Sequence, residues 1–109
     1  MSHRVVLLAS ATRDLQTLRR YLLRRFSAAV WQDSYDKIKA SIRALETFPL
    51  AGGIPEEIER LNLTQYRQTL AGMNRIIYEV RQSTVYIHLI ADAREDMQSL
   101  LTRRLLSVP

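Results

Sequence analysis

The sequence predicts an α+β fold: an N-terminal strand, an antiparallel helical hairpin, then a three-stranded antiparallel meander and a short C-terminal helix. Three observations carry this. Apolar residues recur at helical spacing from Ala11 to Leu45, and beyond Leu63 the period changes to two. Between these stretches, Pro49, Gly52, Gly53 and Pro55 punctuate the chain. The length of 109 residues fits one domain, residues 1–109, and an apolar fraction of 47% suffices for a core.

Val5, Val6, Leu7 and Leu8 form an unbroken apolar run, the pattern of a strand buried on both faces. Ser10 or Thr12 is placed to cap the next helix, with Asp14 in its first turn. Ala11, Leu15, Leu18, Leu22 and Phe26 make its apolar stripe. Ser27 then caps a second helix, whose seam is Trp31, Tyr35, Ile38, Ile42 and Leu45 and which ends by Pro49. A link this short forces the two helices into an antiparallel hairpin.

From Pro49 to Glu59 the sequence reads as a loop. Leu63 to Leu70 is a plausible strand. In the next one, Ile76, Tyr78 and Val80 alternate with Arg75, Ile77, Glu79 and Arg81. Gln82 and Ser83 turn the chain, and Val85, Ile87 and Leu89 then alternate with Tyr86, His88 and Ile90. Asp92 closes the meander and is placed to cap a last helix with Met97, Leu100, Leu101 and Leu105 on its apolar face. The hairpin should cover one sheet face and leave the other partly open.

Charge narrows the function. Sixteen basic residues against eleven acidic ones give a formal charge of +5, and fourteen of the sixteen are arginine. The planar arginine fork suits phosphate and carboxylate better than the lysine point charge does. Arg19, Arg20, Arg24 and Arg25 cluster in the first helix, and Arg103 and Arg104 near the C-terminus. Such patches point to nucleic acid or an acidic protein as partner. A second set, Arg67, Arg75, Arg81 and Arg94, belongs to the sheet and its exit. Arg75 and Arg81 share a strand face, with Arg67 and Arg94 placed to approach from neighbouring strands. Two readings stand: these arginines grip a target, or they pair internally with Glu79, Asp92, Glu95 and Asp96.

Several chemistries lack support. Without cysteine there is no disulfide, thiolate nucleophile or cysteine metal site. His3 and His88 lie far apart with no ligand-like neighbours, Gly52-Gly53 lacks a phosphate-loop frame, and no serine has a nucleophile-elbow context. No metal or cofactor is expected. His88 reads as a structural residue in mid-strand. The N-terminal apolar run is too short for a signal segment or a membrane span, so a cytoplasmic protein without membrane contact is expected.

Several stretches together resemble the RelE/ParE superfamily of toxins from bacterial toxin–antitoxin modules, the ParE-like plasmid stabilisation branch more than RelE. They are Ala11 to Tyr21 (ATRDLQTLRRY), Ile42 to Gly52 (IRALETFPLAG), Arg75 to Val80 (RIIYEV), Val85 to Asp96 (VYIHLIADARED) and Leu100 to Leu106. The resemblance implies a RelE/ParE-like fold, a cognate antitoxin encoded alongside and a toxin–antitoxin hetero-oligomer. It also implies one of two activities. ParE-type toxins act on DNA gyrase without cutting anything themselves; RelE-type toxins cut mRNA on the ribosome. Arg75 and Arg94 match the superfamily's RNase arginines. RelE-like nucleases carry a tyrosine or histidine in the C-terminal tail, but here it reads MQSLLTRRLLSVP. General acid–base help of about 10²–10⁴-fold therefore lacks a carrier there. The expectation is a gyrase inhibitor, not an enzyme. The alternatives are a ribosome-dependent endoribonuclease and a non-toxic remnant that still binds antitoxin. Arg67, Arg75, Arg81, Arg94, Arg103 and Arg104 are the candidates for target contact, and Arg19, Arg20, Arg24 and Arg25 for antitoxin contact.

Overall fold

The computed structural model of the chain describes residues 2–106. In chain order the elements are β1 (Arg4–Leu7), α1 (Ala9–Arg25), α2 (Ala28–Ala44), α3 (Glu56–Arg60), β2 (Tyr66–Ala71), β3 (Asn74–Arg81), β4 (Thr84–Asp92) and α4 (Met97–Leu105). The strands form one sheet in the order β1-β4-β3-β2. β2, β3 and β4 pair antiparallel, and β1 joins β4 in parallel, from Arg4 opposite Thr84 to Leu7 opposite Ile87. The fold is thus the expected one, with a mixed and mostly antiparallel sheet.

The helical hairpin packs on one face. Ala11, Ile38 and Leu45 meet Ile76, Tyr78, Val85, Ile87 and Ile90 there, with Leu15, Leu18 and Ile42 at the margin. Burying such side chains stabilises the fold by about 1.5–3 kcal/mol each. Ser27 caps α2, accepting from Val30 N–H at 3.2 Å. Phe26 leaves the stripe. Its backbone has already turned out of the helix, and its ring, 61% exposed, meets Tyr21 edge-on.

The other face carries a second cluster. Ile58 of α3 and Met97 and Leu101 of α4 cover Tyr66, Ile77, Leu89 and Ala91. The segment expected to be loop up to Glu59 therefore contains a short helix, five residues seeded by acidic residues in its first turn. β2 starts at Tyr66, later than expected. Beyond α3 and α4 this face is open around Arg81 and Tyr86, whose cation–π contact spans 5.5 Å.

The alternation expected in β4 fails in its middle. Tyr78 pairs with Ile87 but Ile77 pairs with Leu89, so His88 is an extra residue, a β-bulge. One inserted residue reverses the facing of every side chain after it in the strand. Leu89 thus joins the α3/α4 face and Ile90 the hairpin face. Period-two reading could not find this, because both positions are apolar.

Two expected caps are also corrected. The α1 N-cap is Leu8, with no side-chain cap; Ser10 instead donates to the His88 carbonyl at 3.2 Å. Thr12 lies within the helix, its amide bonded to the Leu8 carbonyl at 3.0 Å. At α4 the cap is Asp96, which accepts from Ser99 N–H at 3.3 Å, while Asp92 serves Arg94. No helix among the described residues is long and apolar enough to cross a membrane.

Candidate functional site

β1 stops opposite Ile87, so from His88 onward β4 has lost its outer neighbour. Side chains replace the missing strand. The His88 carbonyl accepts from Ser10 and from Arg104, the latter at 2.9 Å, and Ile90 N–H donates to Asp14 Oδ2 at 3.0 Å. Arg104 in turn forks onto Asp14, at 2.9 and 3.0 Å. One arginine near the end of α4 therefore ties α4, α1 and the bulge together. Arg104, a candidate for target contact in the sequence, is therefore occupied within the fold. Arg103 is exposed.

Arg75 is also internal. It is 8% exposed and forks onto Glu57 of α3, both bonds 2.9 Å, with Nε donating to Gln68 at 2.6 Å. The guanidinium holds the Glu57 carboxyl below its usual range. Glu79 and the acidic residues from Asp92 to Asp96 are the partners the sequence suggests for such an arginine. The actual one lies on α3, in the stretch expected to be loop.

Arg67 does not approach Arg75 and Arg81. It pairs with Tyr78 and so points to the hairpin face, while Arg75 and Arg81 share the parity of Ile77. There Arg67 donates to the Gly52 carbonyl at 2.7 Å, and Gly52 N–H donates to the Tyr78 hydroxyl at 3.0 Å. Any Cβ at Gly52 would lie 2.2 Å from the Gln68 carbonyl oxygen, so only glycine fits this crossing. Arg94, exposed past β4, forks onto Asp92 at 2.9 and 2.7 Å and lowers that carboxyl's pKa, its own being raised in turn.

Arg81 belongs to a polar cluster on the open part of the sheet. Its Nε donates to Glu79 Oε2 at 3.0 Å, and the other oxygen, Oε1, faces His88 Nε2 at 3.1 Å. Glu79 is buried, and Tyr66 stands edge-on to the imidazole at 5.0 Å. Burial lowers the His88 pKa in spite of Glu79, so the neutral ring donates from Nε2. Burial likewise raises the Tyr66 hydroxyl. The bulge brings these groups together. In the sequence His88 is an isolated mid-strand residue, and no spacing signals the grouping.

Arg19, Arg20, Arg24 and Arg25 are all exposed on α1, and none pairs with a carboxylate among the described residues. Tyr21, Leu23, Phe26 and Val30 add exposed apolar surface beside them. Among the described residues no group of three or more His, Cys, Asp or Glu is placed to hold a metal ion.

A basic helical hairpin packed on a mostly antiparallel sheet, with internally paired arginines below, defines a small domain of the RelE/ParE-like fold. Residues 5–97 match the family described as the ParE toxin of the type II toxin-antitoxin system, parDE, and the chain belongs to that family. The fold is similar to that in the chromosomal ParDE toxin–antitoxin system from P. aeruginosa, at 13% identity and a TM-score of 0.69, covering 84% of this chain and 96% of that one. It is also similar to the RelBE2 toxin–antitoxin complex from Mycobacterium tuberculosis, at 24% identity and a TM-score of 0.57, covering 84% of this chain and 99% of that one. No curated protein matches the chain in sequence.

Proposed function

We propose that this toxin inhibits DNA gyrase by direct protein contact, acts in the cytoplasm as a single domain without a cofactor, and is neutralised by a cognate antitoxin. The observation that carries the target is the state of the two arginines at the RNase positions. Arg75 is buried in a fork on Glu57, and Arg94 is forked on Asp92. A phosphodiester would have to displace a carboxylate at each, and breaking the Arg75 pair leaves a half-buried charge behind. The C-terminal tail adds no tyrosine, histidine or lysine to move a proton. Exposed arginine and apolar side chains on the hairpin are the composition of a protein-binding surface. In the toxin–antitoxin frame, Arg19, Arg20, Arg24 and Arg25 are the antitoxin contacts, and the open sheet face around Tyr86 and the exposed Arg81, which is paired with Glu79 through Nε, is the target surface.

One observation favours the endoribonuclease reading: His88, Glu79 and Arg81 adjoin on the open sheet face, which supplies a proton carrier beside a cation. The test separates the two. Purified protein should block gyrase supercoiling or trap its cleaved DNA complex, and leave ribosome-bound mRNA whole in a purified translation system. Codon-phased cuts with gyrase unaffected would transfer the assignment to the nuclease, with His88→Gln the variant expected to abolish them. If neither activity appears, the chain is an antitoxin-binding remnant.

A further inference from the structure

Arg13, Arg20 and Arg24 stand at i, i+7 and i+11 of α1, so they share one face and span about 16 Å of helix. Each is two positions from Ala11 or Leu22, the buried residues of α1, and so points about 200° round the helix from the core. All three are exposed, and none holds a carboxylate among the described residues. The Arg20 guanidinium reaches the Thr17 hydroxyl at 3.4 Å. On α2, by contrast, Asp33 meets Lys37 at 3.0 Å and Asp36 meets Lys39 at 3.7 Å. The carboxylate of α1 is Asp14, and Arg104 occupies it.

We infer that this arginine stripe binds the phosphate backbone of duplex DNA without reading its sequence. The inference goes beyond the gyrase reading and needs no gyrase. Arg20 and Arg24 are antitoxin contacts in that reading, so antitoxin and DNA exclude each other there.

Charge and composition select this occupant. Each guanidinium fork matches a pair of phosphate oxygens. A phosphodiester displaces no carboxylate here, whereas at Arg75 and Arg94 it would. Between Arg13 and Arg20 the face carries Gln16 and Thr17, both exposed, which are further donors to phosphate oxygens. Tyr21 and Leu23 lie about 80° to either side of it. A single strand is gripped by cations interleaved with aromatic rings, and the stripe has none. A protein interface is built round an apolar centre, which the stripe also lacks. A second copy of this chain brings its own +5 and is repelled. A straight row of cations on a helix fits the regular, dense charge of a duplex.

The experiment follows the fluorescence anisotropy of a labelled duplex of about 20 base pairs, with the full chain alone, across about 50–200 mM salt. The logarithm of the binding constant should fall against the logarithm of salt with a slope of about −2.7, about 0.9 for each arginine. Arg13→Gln, Arg20→Gln and Arg24→Gln together should weaken binding by about tenfold or more at the low end of that range. Each alone should lower the slope by about one, and these single variants carry the test if the triple loses its folded circular dichroism spectrum. The comparison variant combines Arg4→Gln, Lys37→Gln and Arg60→Gln, which remove the same charge at exposed positions outside α1. It should bind DNA within about twofold of the unaltered chain. Equal losses in the two triple variants would assign the binding to net charge and overturn the stripe. Tighter binding of a single strand or an RNA duplex of the same sequence would overturn the assignment to duplex DNA, as would no binding at the lowest salt. A stripe variant that keeps DNA and loses antitoxin would give the face to the acidic protein and overturn the proposal as well. Absence of gyrase inhibition leaves the DNA result standing, so the two readings fail separately.

Discussion

Arg19, Arg20, Arg24 and Arg25 stand exposed on α1 without a carboxylate partner among the described residues, whereas Arg75, Arg81, Arg94 and Arg104 each hold one. The residue type is the same; the backbone that presents it is not. Arg75 and Arg104 meet Glu57 and Asp14 across distant parts of the chain, at sequence separations of 18 and 90. Such forks form where two packed elements fix both ends, and they act as staples. On α1 the neighbours one turn away include other arginines: Arg20 and Arg24 are four apart, which costs an isolated helix about 0.2–0.5 kcal/mol. A local cost without an internal gain is what a partner-binding surface looks like.

Removing a staple should give the largest effect. Arg75→Ala leaves Glu57 half-buried and Gln68 without its donor. The expected loss is about 2–3 kcal/mol in urea unfolding, below the roughly 3–5 of a fully buried pair because Glu57 keeps some contact with solvent. Arg104→Gln abandons Asp14 and the His88 carbonyl and should cost about 1–2 kcal/mol. An Arg104→Gln variant that unfolds at the same urea concentration as the unaltered chain would refute its role as a staple.

The helical hairpin was legible in the sequence because its apolar spacing is periodic and Ser27 announces the break between the helices. The meander was legible because its strands alternate. What escaped depended on three-dimensional neighbours. The His88 bulge leaves no mark in a run of apolar residues, and α3 is five residues long, too short to show a period. The sequence places Asp14 in the first turn of its helix, but α1 starts at Ala9 and Asp14 lies beyond that turn; β1 ending at Leu7 makes it the acceptor for β4. The clustering of basic residues was visible, but which arginines were already occupied was not. That depends on Glu57 and Asp14, and no spacing rule connects them to Arg75 and Arg104.

Acid should separate the bulge from the staples. Burial holds the His88 imidazole below 6.5, so the folded state disfavours its charged form. The unfolded chain then binds more protons than the folded one as pH falls through 6.5, and stability that is present above pH 6.5 is lost below it. Glu57 and Asp92 are held low by Arg75 and Arg94, and their contribution is lost only below their ordinary values of 4.5 and 3.8. The interval from pH 6.5 to 4.5 therefore isolates the bulge. Chemical unfolding across that interval should show a decline in the unaltered chain and a flatter line in His88→Gln. A decline of the same slope in the variant would assign it elsewhere.

The smallest effect on the fold should come from the largest change in charge. Replacing Arg19, Arg20, Arg24 and Arg25 together by Gln removes four of fourteen arginines and takes the formal charge from +5 to +1. None of the four holds a carboxylate, so unfolding should shift by no more than about 0.5 kcal/mol. Arg24 and Arg25 lie in the last turn of α1, where they favour the negative end of the helix dipole, and their loss accounts for what shift there is. Removing the repulsion between Arg20 and Arg24 acts in the opposite direction. Association is where the change should be felt. Exposed charges steer encounter over roughly a Debye length, about 10 Å at 0.1 M salt, so the antitoxin on-rate should fall at low salt and its salt dependence flatten. The off-rate should change less, because the exposed apolar side chains Tyr21, Leu23 and Phe26 are left in place. A variant that unfolds as readily as Arg75→Ala would show that these arginines are staples too. One that keeps the low-salt on-rate would show that the patch serves some other partner.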